Sequence, residues 1–254
     1  MHKEVEVNGR NFKFEGHPDR YLENLSESNE FALAEYAKHH IPKGAKILDI
    51  GANIGFISTL FASYNPSSIV YSLEPGAENF NFLKQNIAVN ELGNILPHNI
   101  ALGNSNYFAE FEENSAWGHL GGNKKQSNPT VGLTRVKTVD QFVLDEGIES
   151  VDLIKIDVEG FERQVLEGMT FTLNEFNPKV IIEFNTYCLI CYGRTDPFSF
   201  LELIKEKFEF KYIFSRTRQE TNLFSKLENF DFEKKLIHLN IIEHGSVDDL
   251  LLFN

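Results

Sequence analysis

Apolar and polar residues alternate in Glu4-Val-Glu-Val7 and again in Asn11-Phe-Lys-Phe14, on either side of Asn8-Gly9. A period of two flanking Asn-Gly predicts a β-hairpin, because that dipeptide accepts the left-handed backbone of a tight hairpin turn. The period then lengthens. Phe31, Leu33, Ala34 and Ala37 fall at helical spacing within residues 29–40, and Pro42 and Gly44 follow as stop signals.

From residue 46 onward, short apolar runs alternate with helical patterns. Runs at 46–50, 68–74, 151–157, 179–184, 210–214 and 249–253 predict strands. A third strand lies within 94–102, interrupted by Pro97. Helices are predicted over 78–90, 161–173 and 197–208, and residues 107–111 and 134–138 read as an extra antiparallel pair. Strands separated by helices imply right-handed βαβ units and a mainly parallel α/β sheet. Residues 114–132, rich in Gly, Asn, Ser and Lys, read as a long loop. Residues 216–245 stay open between helix, loop and lid.

The stretch Lys46-Ile-Leu-Asp-Ile-Gly-Ala-Asn-Ile-Gly55 carries the most chemistry. It is a buried strand running into a glycine-spaced turn that opens a helix, the layout that brings backbone N–H groups close to a nucleotide-like cofactor. Asp49 and Glu74 fall at the ends of the first two strands of the sheet. A carboxylate at the end of the second can accept two hydrogen bonds from a ribose diol. A dinucleotide fold wants G-x-G-x-x-G, and here Asn53 stands at the middle glycine of Gly51-Ala-Asn-Ile-Gly55. Asn53 offers an amide to a ligand carboxylate, and Asp49 suits a ligand ammonium group. S-adenosylmethionine has an amino-acid end, a ribose end and no phosphate.

Length and charge narrow the partners. The 254 residues fit a single domain, with 1–44 as an N-terminal hairpin and helix extension and 45–254 as the cofactor-binding core. A net charge of −13 without a Lys/Arg cluster argues against DNA, RNA and anionic membrane surfaces. The first seven residues lack the apolar segment of a signal peptide, and no run reaches the ~18 apolar residues of a membrane span. The expectation is a soluble, cytoplasmic protein. Cys188 and Cys191 form a lone C-x-x-C with no second ligand pair for zinc, so they read as ordinary reduced thiols.

Asp49-Ile-Gly-Ala-Asn-Ile-Gly55, Leu73-Glu-Pro75, Ala101-Leu-Gly103 and Lys155-Ile-Asp-Val-Glu-Gly160, the last followed by Glu162, Val165, Leu166 and Gly168, together resemble the FkbM family of S-adenosylmethionine-dependent methyltransferases. The Ile182-Glu183 strand and the closing Leu-Leu-Phe strand agree, and the resemblance runs through 45–169 with a looser tail. It implies a Rossmann-like, seven-stranded, mainly parallel sheet with helices on both faces and the last strand antiparallel. It implies O-methylation of a sugar, glycan or secondary-metabolite hydroxyl, with S-adenosylmethionine as cofactor. Gly51, Asn53 and Gly55 would line the methionine end with Asp49 nearby, Glu74 would hold the ribose, and Asn99 and Ala101 would border the adenine.

For chemistry, Asp157 and Glu159 at the end of the 151–157 strand are the expected catalytic pair, Asp157 near the methionine moiety or acceptor hydroxyl and Glu159 as the alternative base. Glu159 reads alternatively as a cap of the following helix. Lys155, inside an apolar strand, needs a carboxylate partner. Glu183 and Asn185 with Asp157 would make an all-oxygen cation site, or bond loop backbone; the second reading is preferred, so no metal is expected. Trp117 and His119 would line an acceptor pocket or face solvent, and His39-His40 would complement a helix dipole. Two other readings remain open: an NAD-dependent oxidoreductase, and a non-catalytic cofactor-binding protein of the same fold.

Overall fold

The computed structural model describes residues 1–113, 119–120, 130–214, 224–226, 236 and 247–254. Most of the 114–132 and 216–245 segments, Trp117 included, lies outside the described residues, and of His119 only the backbone is described.

The hairpin forms as the alternation demands. β1 (His2–Val7) and β2 (Arg10–Glu15) pair antiparallel with Val7 opposite Arg10. Asn8 and Gly9 carry the turn at φ 52° and 70°. Val5, Val7, Phe12 and Phe14 are buried while their polar neighbours stay outside. α1 (Arg20–Asn24), capped by the Asp19 carboxylate, and α2 (Phe31–His40) lead into the core.

The core then runs through β3 (Lys46–Ile50), α3 (Phe56–Tyr64), β4 (Ile69–Leu73), α4 (Ala77–Val89) and β5 (Ile95–His98). β6 (Ala101–Gly103), β7 (Tyr107–Glu113), β8 (His119–Leu120) and β9 (Thr130–Thr138) form a separate sheet, and α5 (Val139–Asp145) returns to the core. β10 (Leu153–Ile156), α6 (Glu162–Glu167), α7 (Thr170–Phe176) and β11 (Lys179–Asn185) follow. The described chain ends through α8 (Thr186–Cys191), α9 (Pro197–Lys207), β12 (Phe210–Phe214), β13 (Phe224–Lys226) and β14 (Val247–Phe253).

The main sheet has the order β13-β12-β14-β11-β10-β3-β4-β5. β11, β10, β3, β4 and β5 are parallel, and β14 runs antiparallel between β11 and β12. The seven strands from β12 to β5 are those expected, with the last antiparallel, and short β13 adds an eighth as a hairpin partner of β12. Ile47, Val70, Leu153 and Ile181 pack on one face against α2, α3 and the hairpin. Leu48, Ile154, Ile156 and Ile182 pack on the other with Phe142 of α5, Val165 of α6 and Phe200 of α9. Each such side chain contributes roughly 1.5–3 kcal/mol through burial. Among the described residues, no helix is long and apolar enough to cross a membrane.

Two elements differ from expectation. The helix expected over 161–173 is two helices, broken at Gly168. A Cβ there would lie 2.0 Å from the Gly103 carbonyl oxygen of β6, so the chain passes glycine against backbone instead of continuing the turn. Asp140 restarts the helix by accepting the Phe171 and Thr172 N–H groups at 2.9 and 2.8 Å. The third strand is also split. Pro97 sits in β5 on the sheet edge, where a missing donor is tolerated. Ala101–Gly103 crosses to pair with β9.

Candidate functional site

The carboxyl ends of β3, β4 and β10 open onto one cleft of about 270 Å³. Its floor is the turn after β3. The Gly51 and Ala52 N–H groups both donate to the Leu73 carbonyl at 2.9 Å, tying the turn to the end of β4. Gly51 has φ 89°, and a Cβ on it would stand 1.8 Å from the Asp157 carbonyl oxygen. Glycine therefore lets the loop after β10 close down on the turn. Asn53, at φ 50°, lines the cleft. Gly55 begins α3 at φ 92° and packs against Leu83 of α4, away from the cleft wall.

Glu74 stands beside the turn, 5% exposed. Its Oε2 accepts the Asn53 N–H at 2.9 Å and its Oε1 accepts the Gly76 N–H at 2.8 Å. Burial pushes the Glu74 carboxyl up to about 8, against the pull of those two donors. Asn99 holds this residue from outside the cleft, its Nδ2 donating to the Glu74 and Pro75 carbonyls at 2.8 and 3.1 Å. Ala101 does line the cleft, in an apolar wall with Ile100, Leu102 and Phe111.

Asp49 lies beneath the cleft instead of on its wall. It is 2% exposed and accepts the Ser58 hydroxyl at 2.5 Å, and Ser58 is 2.6 Å from Ser72. Burial raises its carboxyl to about 6. Asp49 is in register with Lys155 of β10. Lys155 Nζ stands 3.5 Å from Asp157 Oδ2 and 3.3 Å from Asp249 Oδ1, the carboxylate partners its position requires. Burial alone would lower its pKa. The carboxylates of Asp249, Asp157, Glu183 and Asp49 outweigh that and hold it above the usual lysine range.

The opposite wall is acidic. Asp157, Glu159, Glu183 and Glu30 all line it. Glu159 sits at φ 53°, and its Oε2 accepts the Cys188 thiol at 3.0 Å. Burial, then the neighbouring Asp157, raises its carboxyl to about 8. The helix-capping alternative weighed for Glu159 is not what it does, since α6 has no side-chain cap; Glu162 bonds the loop backbone before the helix, its Oε1 accepting the Val158 and Gly160 N–H groups at 3.1 Å each. Glu183 is held well above the usual carboxylate range by burial, then by Asp157 and Glu159. Its Oε2 is buried and finds no hydrogen-bond partner among the described residues. Asn185 is committed elsewhere, its side chain accepting the Cys188 N–H at 3.1 Å to cap α8. Among the described residues, no group of three or more His, Cys, Asp or Glu side chains is arranged to hold a metal ion.

Tyr21 and Glu30 complete the cleft from the N-terminal extension. No sequence motif marks them. Burial raises Glu30 to about 7 and lifts the Tyr21 hydroxyl above its ordinary range. No Lys, Arg or His lines the cleft among the described residues.

The strand order, with antiparallel β14 set between β11 and β12, and the glycine turn facing an acid at the end of β4 place the chain in the Rossmann-like class of methyltransferase folds. The family model of the methyltransferase FkbM domain matches residues 49–211, and the chain belongs to that family. It is 29% identical over 137 residues to a hexuronic acid methyltransferase of Haloferax volcanii, covering 53% of this chain and 54% of that protein. It is 27% identical over 175 residues to methyltransferase sdnD of Sordaria araneosa, covering 57% and 68%. The chain thus spans about half the length of the first of these relatives. Among solved structures, an FkbM methyltransferase of Methylobacillus flagellatus matches with a TM-score of 0.50 at 14% identity, over 84% of this chain and 45% of that one. A T. thermophilus 16S rRNA methyltransferase matches with a TM-score of 0.51 at 12% identity, over 100% and 50%. Both likenesses are of fold.

Proposed function

We propose that the protein is an S-adenosylmethionine-dependent O-methyltransferase acting on a hydroxyl of a sugar, glycan or secondary metabolite, with residues 1–254 working as one domain. The observation that carries this reading is the lining of the cleft: five carboxyl groups line it and no described lining residue is basic. A diphosphate-bearing dinucleotide would find no cation among them to balance its charge. A cofactor with a sulfonium, an ammonium and a ribose, and no phosphate, fits the same donors and acceptors.

When bound, S-adenosylmethionine supplies an electrophilic methyl group on a positively charged sulfur. Glu74, fixed by two backbone donors, presents its remaining lone pairs to the ribose diol. The turn at Gly51–Asn53 faces the amino-acid end, and Asp49 stiffens it from below through Ser58. Ile100, Ala101 and Leu102 offer an apolar surface to the adenine. Asp157 and Glu159 line the cleft where a hydroxyl must lose its proton. Holding nucleophile and methyl carbon in line can supply ~7–11 kcal/mol of the acceleration.

The hexuronic acid methyltransferase among the relatives supports a sugar-like acceptor. An acceptor carboxylate would meet Asp157, Glu159 and Glu183, so the favoured atom is a hydroxyl oxygen. Calorimetry with S-adenosylhomocysteine and with NAD tests the reading. Binding of the first and not the second is expected; binding of NAD alone would overturn it. Transfer of labelled methyl into monosaccharides and uronic acids then locates the acceptor.

A further inference from the structure

We propose that Glu183 is the base that receives the acceptor's hydroxyl proton, an assignment that rests on the methyl-transfer reading above. Apart from Glu30 of the N-terminal extension, three carboxylates, Asp157, Glu159 and Glu183, share the acidic wall, and two of these are already engaged. Asp157 faces the Lys155 ammonium at 3.5 Å, and Glu159 accepts the Cys188 thiol at 3.0 Å. Glu183 Oε2 alone of the three is a buried oxygen with no partner among the described residues, in a residue that lines the cleft. A buried acceptor without a donor is unfavourable, because it has given up water and gained nothing in return. A hydroxyl entering the cleft is the donor this oxygen lacks.

Backbone register places it correctly. Ile156 and Ile182 are partners across β10 and β11, so Asp157, one residue past the end of β10, stands beside Glu183 within β11. Glu183 is also opposite Asp249 of β14. The charged groups around it are Asp157 and Glu159 from the loop after β10, Glu162 of α6, Lys155 of β10 and Asp249 of β14, with the Cys188 thiol of α8 beside Glu159. Burial and like charge exceed the pull of Lys155 and hold this carboxyl above the usual carboxylate range, and positive charge entering the cleft pulls it back down. A sulfonium supplies that charge and frees the base; the neutral thioether product does not.

The transfer balances. The hydroxyl oxygen closes the new O–C bond with its own electron pair, the C–S pair stays on sulfur, and the hydroxyl proton goes to Glu183 Oε2. The sulfonium charge and the carboxylate charge vanish together.

The test uses the full chain and needs no acceptor. Calorimetry at about pH 7.5, in two buffers of different ionisation enthalpy, counts protons released on binding S-adenosylmethionine and S-adenosylhomocysteine. Wild type should release more protons with the sulfonium, by up to about one. Glu183→Gln should still bind both ligands and lose the larger part of the difference. Equal release in wild type, or a difference that keeps its larger part in folded Glu183→Gln, overturns the assignment. Glu159→Gln, run beside it, should lose only the smaller part, the share of a second carboxyl held at about 8 on the same wall. A larger loss there assigns the proton to Glu159 and overturns the proposal whether or not Glu183→Gln folds. If wild type binds neither ligand, the methyl-transfer reading itself has failed.

Discussion

The Cys188 thiol donates to Glu159 Oε2 across 3.0 Å, joining the C-x-x-C pair on α8 to the loop after β10. A donor to a carboxylate stabilises its charged form, so the thiol works against the burial that raises Glu159. Cys188→Ala should move the Glu159 titration upward, and Cys188→Ser, which keeps a donor, should leave it near its wild-type position. Carboxyl carbon resonances in glutamate-labelled protein report both. An unmoved Glu159 in the alanine variant would remove the thiol from its electrostatics.

The same contact separates the two cysteines chemically. Cys188 is buried, and burial together with Glu159 and Glu183 lifts its thiol far above the ordinary range, while Cys191 is exposed. Thiolate, not thiol, reacts with maleimide. One fast-reacting thiol per folded chain is expected, abolished by Cys191→Ser. Two equally fast thiols in wild type would contradict the burial of Cys188.

Gly51→Ala should be far more damaging than Gly147→Ala. Both glycines sit at positive φ, 89° and 61°. A Cβ at Gly147 meets nothing within 4 Å, so the cost there is the backbone penalty of about 1–2 kcal/mol. At Gly51 the Cβ adds a collision with the Asp157 carbonyl oxygen at 1.8 Å. Thermal melts should show the larger fall for Gly51→Ala, and S-adenosylhomocysteine binding should be lost only there. Equal falls would mean that the approach of the two loops is unimportant.

Glu74→Ala should weaken S-adenosylhomocysteine binding by more than ~1 kcal/mol, since it removes the carboxyl acceptor offered to the ribose diol. It should also lower stability, because the Asn53 and Gly76 N–H groups lose their acceptor. Calorimetry and a melt separate the two effects. Unchanged affinity in a folded Glu74→Ala protein would remove the ribose role.

The sheet was legible because its strands bury both faces and so read as short apolar runs, as in Ile47–Ile50 and Leu153–Ile156, each interrupted by a single buried charged residue, Asp49 or Lys155. The turn was legible because glycine and asparagine sit at its three left-handed positions. The close approach of Gly168 to β6 was not legible, since the carbonyl it meets lies 65 residues earlier in the chain, at Gly103. Tyr21 and Glu30 were missed for the same reason: only the packing of the hairpin and α2 on the sheet brings them to the cleft. The resemblance set Asn99 beside the adenine, and the structure shows its amide bonded to the Glu74 and Pro75 carbonyls.

Stability should fall as pH rises, the reverse of a protein whose carboxylates are salt-bridged. Burial holds Glu74 and Glu159 at about 8, Glu30 and Glu162 at about 7 and Asp49 at about 6, all above their ordinary values of 4.5 and 3.8. Across that window the folded chain keeps protons that the unfolded chain has released. More protons bound in the native state makes the slope of unfolding free energy against pH negative. The contribution is complete below the unfolded values and is lost as pH passes through the folded ones. The melting temperature of the ligand-free protein should therefore be lower at about pH 8.5 than at about pH 6. Glu74→Gln should shrink that difference, because the amide carries no proton to lose. A melting temperature that climbs steadily through the window would show that these side chains ionise freely, and with that the low-dielectric character of the cleft would be gone.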